Sequence, residues 1–560
     1  MFIKLFFKQK ILYSQPILNK IIPLLALIIL PIFFFIGLQK YKDALGEYYL
    51  GRNYDPSYPY LTNSLNLSQF KGYGVGLIAH PGTPVQEIGA VVLLIVHSFK
   101  PVKTDLIRDV FINPEFYLNK IFQSFLLLNS IAIFLLGITV YRKMKSITDP
   151  LFLQLTPFSF YSQDIYFQLT NVSVEPILIF TILLLITAIV IYVNKSLSER
   201  YSLFYSIVFG VLCGLGMATK ISFFPILVIP LLLIRNIKFK VVFILITILS
   251  FFIFIFPAFS TENADGFSVW VKNLLIHSGR YGTGSVDFVE TSVYLENLKS
   301  IFSKNLVFSV SYVSLLIVFI LQFFTKYKSS IRSNKYFNLL CGILIAMTLQ
   351  IFIVAKHYSL YYMIPSYMFT ILGLFIINNI VLSLYPNFFK IKNRKTFYYT
   401  CISIVIIIFS VFQLKTIYKQ RKYIAYGRNE AREIIKSLEE NYNNSIVVSS
   451  YECSSKEFAL HLGSFFGGTQ HKSYMTILKE MYPNTFYYNR WNNTFYDVWD
   501  IEYIKTKLLL ANKFIFQGFT EDVVLKFMTK IKEMTNKPNA SYKKIFSDDD
   551  RDDLYEITLE

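Results

Sequence analysis

Long uninterrupted apolar runs alternate with short polar, basic stretches from residue 21 to about 415, after which the pattern changes. Each run is long enough, or nearly so, to cross a hydrocarbon core of about 30 Å. The runs predict helical spans near 21–39, 118–140, 150–166, 173–193, 202–219, 221–234, 241–259, 305–324, 337–355, 361–383 and 399–415, about eleven in all. Beyond 416 the period shortens and mixes. RNEAREIIKSLEENY and KEFALHLGSFF carry helical spacing, SIVVSSY and NKFIFQG read as strands, and TEDVVLKFMTKIKEM reads as a helix. KKIFSDDDRDDLYEITLE reads as a terminal hairpin with an acidic turn. The expected architecture is a polytopic α-helical membrane protein, residues 1–417, followed by a small α/β domain, residues 418–560.

Composition sharpens this picture. Of 560 residues, 54% are hydrophobic and only 16% charged, below the share of about 25% in soluble domains. The net charge of +19 would suit nucleic acid, but the basic residues fall in small clusters between apolar runs. Examples are Arg142/Lys143/Lys145, Arg235/Lys238/Lys240 and Lys390/Lys392/Arg394/Lys395. Such clusters follow every second span, which is membrane topology rather than a nucleic-acid surface. The positive-inside rule puts them in the cytoplasm, and the first loop, the 260–300 loop and the tail outside. The run from Ile21 to Leu38 is too long for a cleaved leader and reads as a retained signal anchor. Residues 85–98 are apolar but short, and read as a helix lying along the outer interface. The four cysteines show neither a disulfide framework nor zinc-ligand spacing.

Against this background the ionisable residues at the outer ends of spans stand out. DPSYPYLTNSLNLSQFKGYGVGLIAHPGTPVQ, residues 55–86, is polar, aromatic and turn-rich, and carries Asp55 and His80. Asp55 follows EYYLGRNY, which holds Glu47. A carboxylate there can take a proton from a hydroxyl, or simply face water as a loop carboxylate. His80 opens the rigid turn HPGTP and suits either a phosphate or hydroxyl contact or a helix entry. Glu175, at the outer start of the fourth span, could orient an acceptor, bind a cation or pair with a lysine. Lys220 ends GVLCGLGMATK, and Lys356 and His357 open KHYSLYYMIP with Tyr361 and Tyr362. Cations on the outer side either snorkel to headgroups or converge on a phosphate. HSGRYGTGSVDF contributes His277, Arg280 and Tyr281 in a glycine-rich loop.

The order of these segments resembles the GT-C superfamily of membrane glycosyltransferases, which includes protein O-mannosyltransferases and aminoarabinose transferases. Asp55 matches the catalytic acid of their first outer loop, and HPGTP their His-Pro-Pro or Lys-Pro-Pro segment before the second juxtamembrane helix. GVLCGLGMATK resembles their Gly-Leu…Thr-Lys segment, and KHYSLYYMIP their His/Arg-Tyr…Pro segment. Glu175 takes the place of a second acid. The likeness covers roughly residues 15–415. It implies juxtamembrane helices in the first loop and transfer of a sugar from a polyprenyl-phosphate carrier to a hydroxyl or amine of a lipid, glycan or protein acceptor. The expected place is the outer face of a bacterial plasma membrane, with the N-terminus cytoplasmic. This chain departs from the paired acids of that family. The base therefore stays open between Asp55 and Glu47, and a divalent metal has weaker grounds. Two other classes remain in view: a secondary transporter, and a polysaccharide polymerase or ligase that uses lipid diphosphates. In a further class, a binding protein, the tail does the work.

Overall fold

A computed structural model of the chain describes residues 18–51, 54–70, 74–78, 81–101, 105–160, 162–194, 199–259, 264–277, 286, 289–384, 394–451, 453–547 and 552–560. Among them seven helices are long and apolar enough to cross a membrane: Ile21–Leu45, Pro114–Met144, Glu175–Val193, Glu199–Thr219, Ile237–Phe259, Phe337–Lys356 and Leu360–Leu384. Val293–Lys304 and Leu306–Leu321 would make an eighth if taken as one span, although the pair is bent by 98°. Asn305 sits at the bend and accepts the Phe308 N–H at 3.0 Å, capping the second half. The chain thus has the make-up of a multi-pass helical membrane protein.

Of the eleven expected spans, two are divided into pieces too short to cross a membrane. Residues 150–166 divide into the end of Thr148–Gln154, a 3-10 turn at Thr156–Phe158 and the start of Gln163–Thr170. Residues 221–234 divide into a 3-10 stretch, Ile221–Leu227, and a short helix, Val228–Leu233. Proline explains both. Pro157, Pro225 and Pro230 each remove a backbone donor and crowd the preceding turn, which average hydropathy does not register. The run 399–415 lies inside the helix Arg394–Asn441, which also passes through the expected domain boundary at 417.

Between the first two spans lie the helices Tyr54–Ser68, Thr83–Ser98 and Leu106–Ile112. Farther along, Glu199–Thr219 packs against Ile237–Phe259 through Gly210 and Gly214. A Cβ on Gly214 would lie 2.6 Å from the Ser250 side chain and 2.8 Å from the Thr247 carbonyl. Four-residue glycine spacing allows such an approach of two backbones.

The tail forms a six-stranded sheet in the order β3-β2-β1-β4-β6-β5. The strands are β1 Val447–Ser450, β2 Thr485–Asn489, β3 Thr494–Phe495, β4 Lys513–Gly518, β5 Ser541–Ser547 and β6 Asp553–Thr558. β1 pairs in parallel with β2 and β4, while β3, β6 and β5 run antiparallel. Helices Lys456–Phe465 and Glu521–Thr535 appear where helical spacing places them, and β5–β6 forms the expected terminal hairpin. The sheet has its own core around Val448, Phe486, Phe516 and Phe527. Phe458, Leu460, Tyr474 and Tyr487 belong instead to the large core shared with the membrane helices.

That shared core accounts for the polar sequence of the first loop. The Tyr54–Ser68 helix is buried along most of its length despite its polar sequence. Its side chains hydrogen-bond to the tail. Thr62 donates to the Gly463 carbonyl at 2.6 Å, Asn63 to that of Phe466 at 2.9 Å and Asn66 to that of Gly467 at 2.6 Å. Tyr474 donates to Asn66 Oδ1 at 2.5 Å. Buried polar groups persist only when satisfied, and the tail satisfies these.

Candidate functional site

Asp55 stands at the start of the Tyr54–Ser68 helix, where its extended backbone (φ −100°, ψ 119°) precedes the helical turns. Its side chain is exposed. Even so, the protein around it pushes its carboxyl above the usual range, against the opposing effect of a Tyr451 hydrogen bond. The Tyr451 hydroxyl donates to Asp55 Oδ2 at 3.0 Å, so the tail contributes directly to the surroundings of this carboxylate.

A network holds the two partners. Gly51, four residues before Asp55, donates its N–H to Ser454 Oγ at 2.8 Å. Ser454, three residues after Tyr451, donates its own N–H to Asp552 Oδ2 at 2.7 Å. Gln517 Nε2 donates to Asp552 Oδ1 at 3.2 Å and to the Ser454 carbonyl at 2.9 Å. The first loop and the segment that follows β1 are therefore tied together beside the Asp55–Tyr451 contact.

Lys220 and Glu175 form a second centre. Lys220 Nζ donates to Glu175 Oε1 at 2.5 Å, and each side chain is only 3% exposed. The ammonium also lies 4.5 Å from the Tyr361 ring centre and 4.6 Å from that of Tyr362. These are cation–π distances. Four residues singled out in the sequence thus meet at one point. Of the roles open to Glu175, pairing with a lysine is the one observed. Lys220 is engaged by a carboxylate and two phenols, so it neither snorkels to headgroups nor stands open to a phosphate.

Tyr60 feels the acids of both centres. Its ring is buried, and its hydroxyl finds no partner among the described residues. Burial raises its phenol well above the ordinary value, and the carboxylates of Glu175 and Asp55 add to the rise. The phenol stays protonated and lies within electrostatic reach of both acids. Gly82 packs against its hydroxyl, where any side chain would collide. Gly82 has a left-handed backbone (φ 74°) at the entry to the Thr83–Ser98 helix, and its N–H donates to the Ala218 carbonyl at 3.1 Å. Ala218 is two residues from Lys220, so the HPGTP and GLGMATK segments adjoin here.

The remaining candidates divide. Glu47 is held by Arg432, whose Nη2 and Nε lie 2.8 and 3.0 Å from Glu47 Oε2. The two acids left open as the base therefore differ: Glu47 is neutralised by an arginine, and Asp55 accepts only a neutral phenol among the contacts described. Lys356 Nζ donates to the Leu275 carbonyl at 2.6 Å, two residues before the half-buried His277, which brings the 264–277 segment to the Lys356–His357 turn. His80, Arg280 and Tyr281 lie outside the described residues. Among the described residues no group of three His, Cys, Asp or Glu side chains is placed to share a metal ion.

Sequence reading missed Tyr60 and Tyr451. Tyr60 stood in the quoted loop as one aromatic among several, and Tyr451 lies 396 residues from the acid it contacts. No family model matches the chain and no curated protein matches it, so the GT-C resemblance stands on its own residues.

Proposed function

We propose that this chain is an integral-membrane glycosyltransferase that moves a sugar from a polyprenyl-phosphate donor to an acceptor hydroxyl or amine on the outer face of the membrane. One observation carries the reading: Asp55 is accessible, meets no cation among its described contacts and accepts only the Tyr451 hydroxyl, and the protein around it raises its carboxyl above the usual range, which favours proton uptake. Asp55 takes the proton of the acceptor as the acceptor oxygen or nitrogen attacks the anomeric carbon. The bond from that carbon to the phosphate oxygen breaks, and polyprenyl phosphate leaves with the electron pair. A single displacement inverts the anomeric centre. Leaving-group charge calls for cations. Lys220 is neutralised by Glu175, so this role falls to Lys356, His357 and Arg280. The Glu175–Lys220 pair, with Tyr361 and Tyr362, has a structural part in this reading.

The test is transfer from a panel of synthetic polyprenyl-phosphate sugars by the purified protein, together with mass spectrometry of envelope glycans in cells with and without it. Asp55→Asn is expected to abolish transfer while leaving the fold intact, and near-normal turnover in that variant would remove Asp55 as base. A second reading, a secondary transporter, draws on the buried Glu175–Lys220 pair, because ionisable pairs inside helix bundles mark coupling sites. Solute flux in proteoliposomes lacking any lipid donor would favour it.

A further inference from the structure

Tyr451 has a second neighbour of a different kind. Trp491 lies with its ring centre 4.6 Å from that of Tyr451, at an interplanar angle of 55°. The indole is 59% exposed. It is not on a loose loop. Trp491 occupies the tight turn between β2 and β3, and both its N–H and that of Asn492 donate to Asn489 Oδ1, at 3.0 and 3.3 Å. On the far side of the turn, Tyr488 donates its hydroxyl to Asn493 Oδ1 at 2.6 Å. The Arg490 guanidinium stands 5.1 Å from the indole ring centre. Tyr451 in turn packs edge-on against Tyr54, at 5.9 Å, and donates to Asp55.

A large apolar ring held rigidly in water, one phenol away from an accessible carboxylate, is an arrangement that folding alone does not require. The sheet's core is complete without Trp491, which is absent from both large buried clusters. The surface offers an aromatic face, a second ring tilted to it, a guanidinium at the edge and a carboxylate beyond. A pyranose ring matches it. Its C–H face is apolar and covers an indole, while its hydroxyls reach outward to polar groups. A bilayer surface matches less well, because it would strip water from Asp55.

We infer that Trp491, Tyr451 and Arg490 form the acceptor subsite of the Asp55 centre, and that the acceptor is a glycan whose terminal pyranose stacks on Trp491. This rests on the transferase reading for its role in catalysis, but the binding itself does not. The test therefore omits any donor. The full-length protein in nanodiscs is titrated with methyl glucoside, methyl mannoside and N-acetylglucosamine, and followed by saturation-transfer NMR and indole fluorescence. At least one probe is expected to bind, with Trp491→Ala weakening it about tenfold and Trp491→Phe less. Binding by no probe, or equal binding by Trp491→Ala and wild type, overturns the subsite. Unchanged sugar binding with lost adhesion of Trp491→Ala protein to anionic vesicles also overturns it, in favour of an interfacial anchor. Sugar binding at Trp491 in a protein that transfers nothing upholds the subsite and rejects the transferase. Loss of transfer in Asp55→Asn with no acceptor effect in Trp491→Ala does the reverse.

Discussion

Glu175 and Lys220, 45 residues apart in the chain, meet at 2.5 Å with both side chains out of water. Removing either partner takes the observed counter-charge from a buried ion, a loss of about 3–5 kcal/mol. Lys220→Met and Glu175→Gln are each expected to lower the unfolding temperature of the detergent-solubilised protein markedly. The double variant Glu175→Gln with Lys220→Met should recover much of the loss, because neither charge is then stranded. Thermal melts of the four proteins check this. Equal destabilisation by the double variant and the sum of the singles would show that the two side chains act independently.

Asp55 and Tyr451 give a prediction in pH. The acid's carboxyl is raised by the protein packed around it and lowered by the Tyr451 hydroxyl. A general base must be ionised, so activity falls as pH drops through the raised value. Tyr451→Phe removes the bond that favours the ionised form. The acid limb of the activity profile should then move to higher pH, with the plateau reached later. A pH–rate profile of wild type and Tyr451→Phe measures this, and an acid limb that stays in place would uncouple the phenol from the base.

The tail has its own pH signature at Asp552. Burial pushes this carboxyl up to about 6, outweighing hydrogen bonds from Ser454 and Gln517. A raised folded value means that the folded state holds the proton more tightly than the unfolded chain. Its contribution is greatest below the ordinary carboxylate value and is lost as pH rises toward 6, a difference of about 3 kcal/mol. Asp552→Asn cannot ionise. The gap between its melting temperature and that of wild type should change across pH 4–6 and hold steady above; a constant gap would show that Asp552 does not titrate in that window.

Spans with an unbroken apolar run were legible because burial in lipid imposes a composition that no other environment does. The runs at 150–166 and 221–234 were not, since hydropathy averages over Pro157, Pro225 and Pro230. Those prolines decide the backbone. In the tail, strands β1 and β4 and helices Lys456–Phe465 and Glu521–Thr535 followed their periodicity, whereas helices His471–Met481 and Ile501–Ala511 were passed over between them. At the site, Glu175 and Lys220 drew notice as charges at the ends of apolar runs, and their pairing was among the options. Tyr60 and Tyr451 carried no such signal. A tyrosine is ordinary at a membrane interface and in a sheet, and only tertiary packing makes these two neighbours of an acid. The Glu47–Arg432 pair, 385 residues apart, was hidden for the same reason.

Gly214 tests whether helix packing sets the position of the second centre. Its Cα faces the backbone of Ile237–Phe259, and a Cβ there would meet Phe251 N at 2.8 Å as well as Thr247 O. Those atoms belong to a helix backbone and cannot swing aside. Gly214→Val must push the two helices apart, at a cost of about 1–3 kcal/mol. Lys220 is only six residues on, at the end of the same helix, so the push is transmitted to the Lys220–Glu175 contact and to Gly82, which hangs from the Ala218 carbonyl. The expected result is a lower yield of folded protein together with reduced transfer from the lipid donors. Gly37→Ala is the control, since nothing lies within 4 Å of a Cβ there. If Gly214→Val melts and turns over like Gly37→Ala, the close approach of the two helices does not position Lys220.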